Sequence, residues 1–292
     1  MNCINFDQKF EQYMGVWMKN NAAKYKNNMD ILEGMMPDVY MEFLAKPATW
    51  LGGKAPQDYF SQYSDAAQLV DWLCEYERTG VPVPDLLLDR IGELGDEAEA
   101  PLLALLDDVR APDAAEAPLL ALLDDDAAPD AAVMTAISLL REIESTAPMQ
   151  RYIERIAALE EPNERADMYA ESLQSMGETV VAPILAALPA AGETGRDIFA
   201  DILSNFPGEE ETFRLLMERF ERCEDRRALF ASYLAKFGDD RALPALRRAA
   251  EDPHVNYLDF VEISSAIEAL GGERPAEREF AGDPYYESLK HV

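Results

Sequence analysis

The sequence predicts an all-α fold, a right-handed α-α superhelix of two-helix repeats behind an atypical helical N-terminal cap. Three observations predict it. The decapeptide EAPLLALLDD at Glu99–Asp108 returns letter for letter at Glu116–Asp125, seventeen positions later. Helical patterns that end in an apolar segment and glycine, followed by acid and another helix, recur at Gly95, Gly177, Gly208, Gly238 and Gly271, and the last three intervals are 31, 30 and 33 residues. That period is the length of a two-helix unit. No run alternates polar and apolar residues with the period of two that a half-buried strand requires.

Residues 1–65 read as the cap. They hold seven of the twelve methionines (Met1, Met14, Met18, Met29, Met35, Met36 and Met41) and lack the repeat register. Phe10, Tyr13, Met14 and Trp17 follow the i, i+3, i+4, i+7 spacing of one helical face. A solenoid needs such a segment to cover its first core; a Met-rich groove for a partner helix is the alternative. The Gly- and Pro-bearing stretch around residues 47–63 joins cap to repeats. Its Gly52-Gly53-Lys54 lacks the leading Gly and the following hydroxyl of a phosphate loop, with Ala48 and Ala55 in those places, and reads as a plain loop.

Residues 66–272 read as the repeats. In each copy of APLLALLDD the leucines fall within an arc of about 160°, a broad buried stripe. Ala104 faces away, and Pro101 suits a first helical turn. The register runs on, since APDAA at 111–115 recurs at 128–132 and Leu119, Leu120, Leu122 and Leu123 fall on Ala136, Ile137, Leu139 and Leu140. The 82 residues between Gly95 and Gly177 equal two repeats plus one extra unit, the duplicated seventeen near 109–125, and a local irregularity is expected at 107–130. Residues 273–292, broken by Pro275, Gly282 and Pro284, read as a tail packed on the last repeat through Phe280, Tyr285 and Tyr286, with a peptide read by another protein as the alternative.

Charge narrows the function classes. The formal net charge is −30; residues 1–54 hold six Lys against six acids (Asp7, Glu11, Asp30, Glu33, Asp38 and Glu42), so the whole of it lies in residues 55–292. Such a surface repels phosphate backbones and anionic lipid, which excludes nucleic acid and membrane surfaces as expected partners and leaves a protein partner, with a basic or Arg-bearing one compatible. Cys3, Cys74 and Cys223 are odd in number, far apart and without a CxxC pair, against a disulfide framework or zinc site. The N-terminus has no signal-peptide pattern and no apolar run reaches 18 residues, so a cytoplasmic monomer is expected.

The stretch FGDDRALPALRRAAEDPHVNYLDFVEISSAIEALGG places Gly238-Asp239 at a turn, Ala242-Leu243-Pro244 at a helix start, Asp252-Pro253 at an inter-repeat turn, and Ala266, Leu270 and Gly271 at the next helix end. In this the chain resembles the HEAT-repeat family, in the short form also seen in phycobilin lyase-type repeats, over residues 66–272. The resemblance implies a non-catalytic protein-binding scaffold or adaptor. The family's hypusine hydroxylases hold iron with several His-Glu pairs, whereas here only His254 and His291 occur and neither precedes Glu. Its DNA glycosylases use a basic concave face, which the charge contradicts. A chromophore- or cofactor-modifying enzyme of the phycobilin lyase type remains the alternative function. No catalytic residue, cofactor or metal ligand is assigned; His254 reads as a turn residue and the many carboxylates as solvated surface.

The second helix of each repeat, expected at 148–160, 178–189, 209–222 and 240–251, is taken to line the concave side. Those helices carry Arg151, Arg155, Arg214, Arg219, Arg222, Arg247 and Arg248. Arg151, Arg155, Arg214, Arg219, Arg247 and Arg248 form the expected partner-binding set, able to pair bidentately with carboxylates of a partner segment. The competing reading is local ion pairing, Arg214 with Glu218 and Glu218 with Arg222.

Overall fold

The computed structural model describes residues 3–25, 29–107 and 130–289, and among these every regular element is a helix. They group into two compact units, one ending at Ser145 and the other beginning at Thr146.

In the first unit, the Asn5 side chain accepts the Gln8 N–H at 2.8 Å and so opens α1 (Phe6–Asn21). The short α2 (Met29–Gly34) leads to α3 (Met36–Ala45), whose first turn holds Pro37. Phe10 meets Tyr40 at 4.9 Å and Phe43 at 5.4 Å between ring centroids, which packs the predicted stripe of α1 on α3. The Gly-Gly-Lys stretch is a turn: Gly52 and Gly53 take φ of 66° and 90°, the Ala48 N–H donates to the Lys54 carbonyl at 2.9 Å, and Lys54 Nζ donates to Gln62. Then follow α4 (Ala66–Thr79), α5 (Asp85–Glu93), α6 (Asp96–Asp107) and α7 (Asp130–Glu142), with α4, α5 and α6 each packed on α7.

The cap is not a separate body. The Tyr76 hydroxyl, fully buried on α4, accepts from the Ile4 N–H and donates to the Ile4 carbonyl, both at 3.1 Å, while Phe6 and Trp72 close on Phe60. Aromatic burial therefore joins residues 1–65 to α4, within the compact unit that ends at Ser145.

In α6, Leu102 and Leu106 are buried, Leu103 and Leu105 half-buried and Ala104 exposed, as the stripe predicts. Pro101 departs from expectation: it lies inside the helix, because Asp96, Glu97 and Glu99 begin the helix a turn earlier, where acidic side chains favour an N-terminus. The second decapeptide, the duplicated unit near 109–125 and the irregularity expected at 107–130 lie outside the described residues, apart from the end of α6.

The second unit alternates two sets of helices. One comprises α8 (Met149–Ala157), α10 (Val181–Ala187), α12 (Glu210–Arg222) and α14 (Leu243–Glu251); the other comprises α9 (Glu164–Ser175), α11 (Glu193–Ser204), α13 (Arg227–Phe237) and α15 (Tyr257–Ala269). The second set runs in lateral contact, α9 on α11, α11 on α13 and α13 on α15. Its register repeats: Tyr169, Phe199, Phe230 and Ile263 are buried at one position, and Leu173, Leu203, Leu234 and Ile267 four residues on. Three residues after each of Leu173, Leu203, Leu234 and Ile267 come Met176, Phe206, Phe237 and Leu270, and then the marker glycines, Gly177, Gly208, Gly238 and Gly271, at φ of 71°, 118°, 83° and 78°. The positive φ explains glycine there, since a Cβ crowds the backbone in that region.

The missing marker between Gly95 and Gly177 is Glu144, the one non-glycine residue at positive φ among those described, at 55°. It follows α7 as the glycines follow the later helices, with the Ser145 N–H donating back to the Leu140 carbonyl at 3.0 Å. The tail closes the chain through α16 (Pro284–Leu289). Phe280 is buried between Tyr257 and Phe260, and Asp283 accepts the Tyr257 N–H at 3.0 Å, so the described part of the tail packs on α15.

Candidate partner-binding face

The helices expected to carry the arginine-lined groove are α8, α10, α12 and α14. Arg155, Arg214, Arg247 and Arg248 are exposed on them and Arg151 is half-buried. Arg214 lies 3.8 Å from Glu211 rather than pairing with Glu218, whereas Glu218 and Arg222 pair at 2.8 Å. Arg248 stands 4.0 Å from Glu221, at the mouth of a cleft that parts α12 from α14 and is also lined by Phe220, Arg227, Ala245 and Asp252.

Arg219 departs from the expected set. Its side chain is 1 % exposed and lies inside the unit, where Nη1 donates to Glu193 at 2.5 Å and Nη2 lies against Asp197, both on α11. Arg226 takes the other Asp197 oxygen, and the Arg219 and Arg226 guanidiniums stand 5.8 and 5.9 Å from the Phe230 ring centroid. Burial works against the charge, yet the Glu193 hydrogen bond and the neighbouring Asp197 hold the Arg219 pKa above its ordinary value. The reason is positional: on α12 the buried positions Thr212, Leu215, Leu216 and Phe220 surround Arg219, so it faces α11 and not solvent.

A second face is formed by α9, α11, α13 and α15, the set to which the sequence assigned no partner-binding residue. Residues at one register, Met168, Ile198 and Leu229, form an apolar line across three neighbouring helices; the first two are half-buried and Leu229 is 42 % exposed. One turn toward the N-termini of α9 and α11 stand Glu164 and Thr194, and Asp225 lies in the turn that precedes α13; one turn the other way stand Glu171, Asp201 and Ser232. Asp201 accepts from Gln174 of α9 at 3.4 Å and pairs with Lys236 of α13 at 3.6 Å, a polar stitch over three helices. Burial, then the charges of Asp201 and Asp197, push the Tyr233 phenol up to about 12, so it remains a neutral hydroxyl beside them. The signal available in the sequence was the 30–31-residue recurrence of Met, Ile and Leu one position before Tyr169, Phe199 and Phe230.

Elsewhere, α1 and α3 frame a groove of about 330 Å³ lined by Tyr13, Val16, Trp17, Asn20, Glu42 and Lys46. Tyr13 donates to Glu42 at 2.6 Å under the Lys46 ammonium; burial and that bond push its phenol up to about 12. Val16 and Met41 are 59 % and 61 % exposed nearby in sequence, so the cap buries one stripe and leaves other apolar side chains open. His254 is exposed in a turn, its N–H donating to Asp252 at 2.9 Å. Cys3, Cys74 and Cys223 are free thiols. Among the described residues no group of three or more His, Cys, Asp or Glu is placed to hold a metal ion, and no helix is long and apolar enough to cross a membrane.

No protein-family model, no curated protein and no solved structure matches the chain.

Proposed function

We propose that the protein is a non-catalytic scaffold, a HEAT-like right-handed solenoid that binds a protein partner along the face of α9, α11, α13 and α15. The observation that carries this reading is the shared register of those four helices, buried alike at Tyr169, Phe199, Phe230 and Ile263, which sets the same outward positions side by side over successive repeats. A surface built that way is broad and continuous, which suits a protein ligand more than a small molecule. Lateral contact runs along all of α9, α11, α13 and α15, whereas in the other set α8 meets α10 and a cleft parts α12 from α14. An unbroken row suits the inner, concave side of a curved stack, with Arg155, Arg214, Arg247 and Arg248 on the outer ridge.

The test is capture of a partner from the native cell by the full chain and two surface variants. Changing Glu164 and Asp167 of α9, Ser232 of α13 and Ser265 of α15, all exposed, to Arg should abolish capture, and changing Arg155, Arg214, Arg247 and Arg248 to Glu should leave it intact. The opposite pattern moves the site to the arginine helices. Failure to capture any protein, together with a chromophore absorbing in the purified chain, would replace the scaffold by the pigment-modifying reading.

A further inference from the structure

The line of Met168, Ile198 and Leu229 carries an inference about what the partner presents. Resting on the scaffold reading, we infer that the face of α9, α11 and α13 receives a basic amphipathic helix of the partner, its apolar stripe on that line and lysines or arginines on both flanks.

Spacing supports a helix. Packed helix axes lie roughly 8–10 Å apart, so equivalent residues on α9, α11 and α13 form a row with about that step. Residues seven apart on a helix advance about 10 Å along its axis and return to nearly the same face. A partner helix laid across α9, α11 and α13 can therefore seat side chains i, i+7 and i+14 over Met168, Ile198 and Leu229 in turn. An extended segment would turn alternate side chains away from the face and could not serve line and flanks together.

Charge selects the sign. Glu164, at the start of α9, and Asp225, in the turn before α13, are exposed acids toward the N-terminal ends of this face, and Glu171 and Asp201 stand on the other side, Asp201 paired with Lys236. Of the cations near this face, Arg226 is taken by Asp197 and Lys236 by Asp201, and Arg165, three residues before Met168, is half-buried. Around them lies a chain whose −30 is carried entirely outside its first 54 residues, so an approaching cationic segment is drawn in from a distance and an acidic one is repelled. The length is bounded as well. At α15 the equivalent residue is the exposed Glu262, which ends the apolar line after three helices and fits a partner helix of about four turns.

The experiment uses the full chain and a labelled synthetic 18-residue peptide of leucine and lysine, with leucines at i, i+3, i+4 and i+7 spacing, read by fluorescence anisotropy. Controls are a scrambled isomer of the same composition and a version with glutamate for lysine. The amphipathic peptide should bind at least tenfold more tightly than its scrambled isomer, and the glutamate version should not bind. Leu229→Lys should weaken binding at least tenfold and Leu229→Ser, which leaves the charge unchanged, several-fold. Val16→Lys, the same charge change at an exposed apolar residue of the other unit, should alter it less than twofold. Equal binding of the scrambled isomer, or equal effects of Leu229→Lys and Val16→Lys, reduces the binding to bulk charge and overturns the inference. A native partner lost from the Glu164, Asp167, Ser232 and Ser265 variant but kept by Leu229→Lys also overturns it while the scaffold reading stands; loss of neither sinks the scaffold face itself.

Discussion

Replacing Arg219 tests whether its buried charge network holds α11, α12 and α13 together. Arg219→Met keeps a chain of similar length beneath Phe230 and removes the cation; Arg219→Ala removes both. Without the cation, Glu193, whose side chain is 66 % exposed, returns to water at little cost, and Asp197, 13 % exposed, keeps Arg226. Full orphaning of a buried partner costs roughly 3–5 kcal/mol. Here it is partial, so Arg219→Met should cost about 1–2 kcal/mol. Arg219→Ala adds an unfilled cavity and the lost stacking on Phe230, for a total of about 3–4 kcal/mol.

The assay must report on the second unit. All three tryptophans, Trp17, Trp50 and Trp72, lie in the first, so intrinsic tryptophan fluorescence is blind to it. Amide hydrogen exchange over α11–α13 under native conditions reads the opening free energy directly. The network also predicts a pH dependence. The Arg219 hydrogen bond and charge hold the Glu193 carboxyl below its ordinary 4.5. A carboxyl lowered on folding contributes stability above its unfolded value and loses it as pH falls through the folded value. The gap between wild type and Arg219→Met should therefore narrow below about pH 4.5, by a few tenths of a kcal/mol given the exposure of Glu193. Equal costs for Met and Ala, or a gap that widens in acid, would refute the network as a structural element.

Three further outcomes are expected. Glu144→Gly should stabilise the first unit by about 0.5–1 kcal/mol in urea unfolding followed by tryptophan fluorescence, because the present residue holds φ 55° where the later repeats use glycine; destabilisation would mean that the turn is not strained. Gly195→Ala should cost about 1–3 kcal/mol, seen as faster exchange in α8 and α11, since a Cβ there would stand 2.5 Å from the Ile156 carbonyl oxygen; unchanged exchange would show that the helices part freely. Tyr76→Phe should cost about 1–2 kcal/mol in tryptophan-monitored urea unfolding, as the Ile4 amide and carbonyl lose their shared hydroxyl; an unchanged midpoint would leave Ile4 satisfied by water.

The legible part of the fold was whatever lies within one helix and its turn. Gly177, Gly208, Gly238 and Gly271 could be read from spacing because the left-handed turn penalises every residue with a Cβ, and the leucines of α6 because the helical period sorts them. Glu144 was not legible: one strained residue can occupy the same turn, which erased the marker and left 82 residues to be divided by arithmetic. Arg219 was hidden for a different reason. Its carboxylate partners Glu193 and Asp197 sit 26 and 22 positions upstream on another helix, and a buried arginine looks like any surface arginine until that pairing is known. The lateral contact of α9, α11, α13 and α15 was likewise set by packing between helices about 30 residues apart, which a two-helix period leaves undetermined.

Charge and rigidity are not separable on the face of α9, α11 and α13. Asp201 is both one of the acids beside the apolar line and the residue that pairs with Lys236 of α13 and accepts from Gln174 of α9, while Asp197 binds Arg219 and Arg226 and so fixes α11 against α12 and α13. Neutralising Asp201 would remove a charge from the face and loosen the register that sets Met168, Ile198 and Leu229 in line. A loss of binding in Asp201→Asn would thus be silent on cause. Leu229 escapes this coupling because its side chain is exposed and bears neither charge nor polar group, and the Ser232 hydroxyl bonds to its backbone carbonyl, at 2.7 Å, rather than to its side chain. Substituting its side chain changes the surface and leaves the stitches in place, which makes it the residue at which recognition can be measured apart from folding.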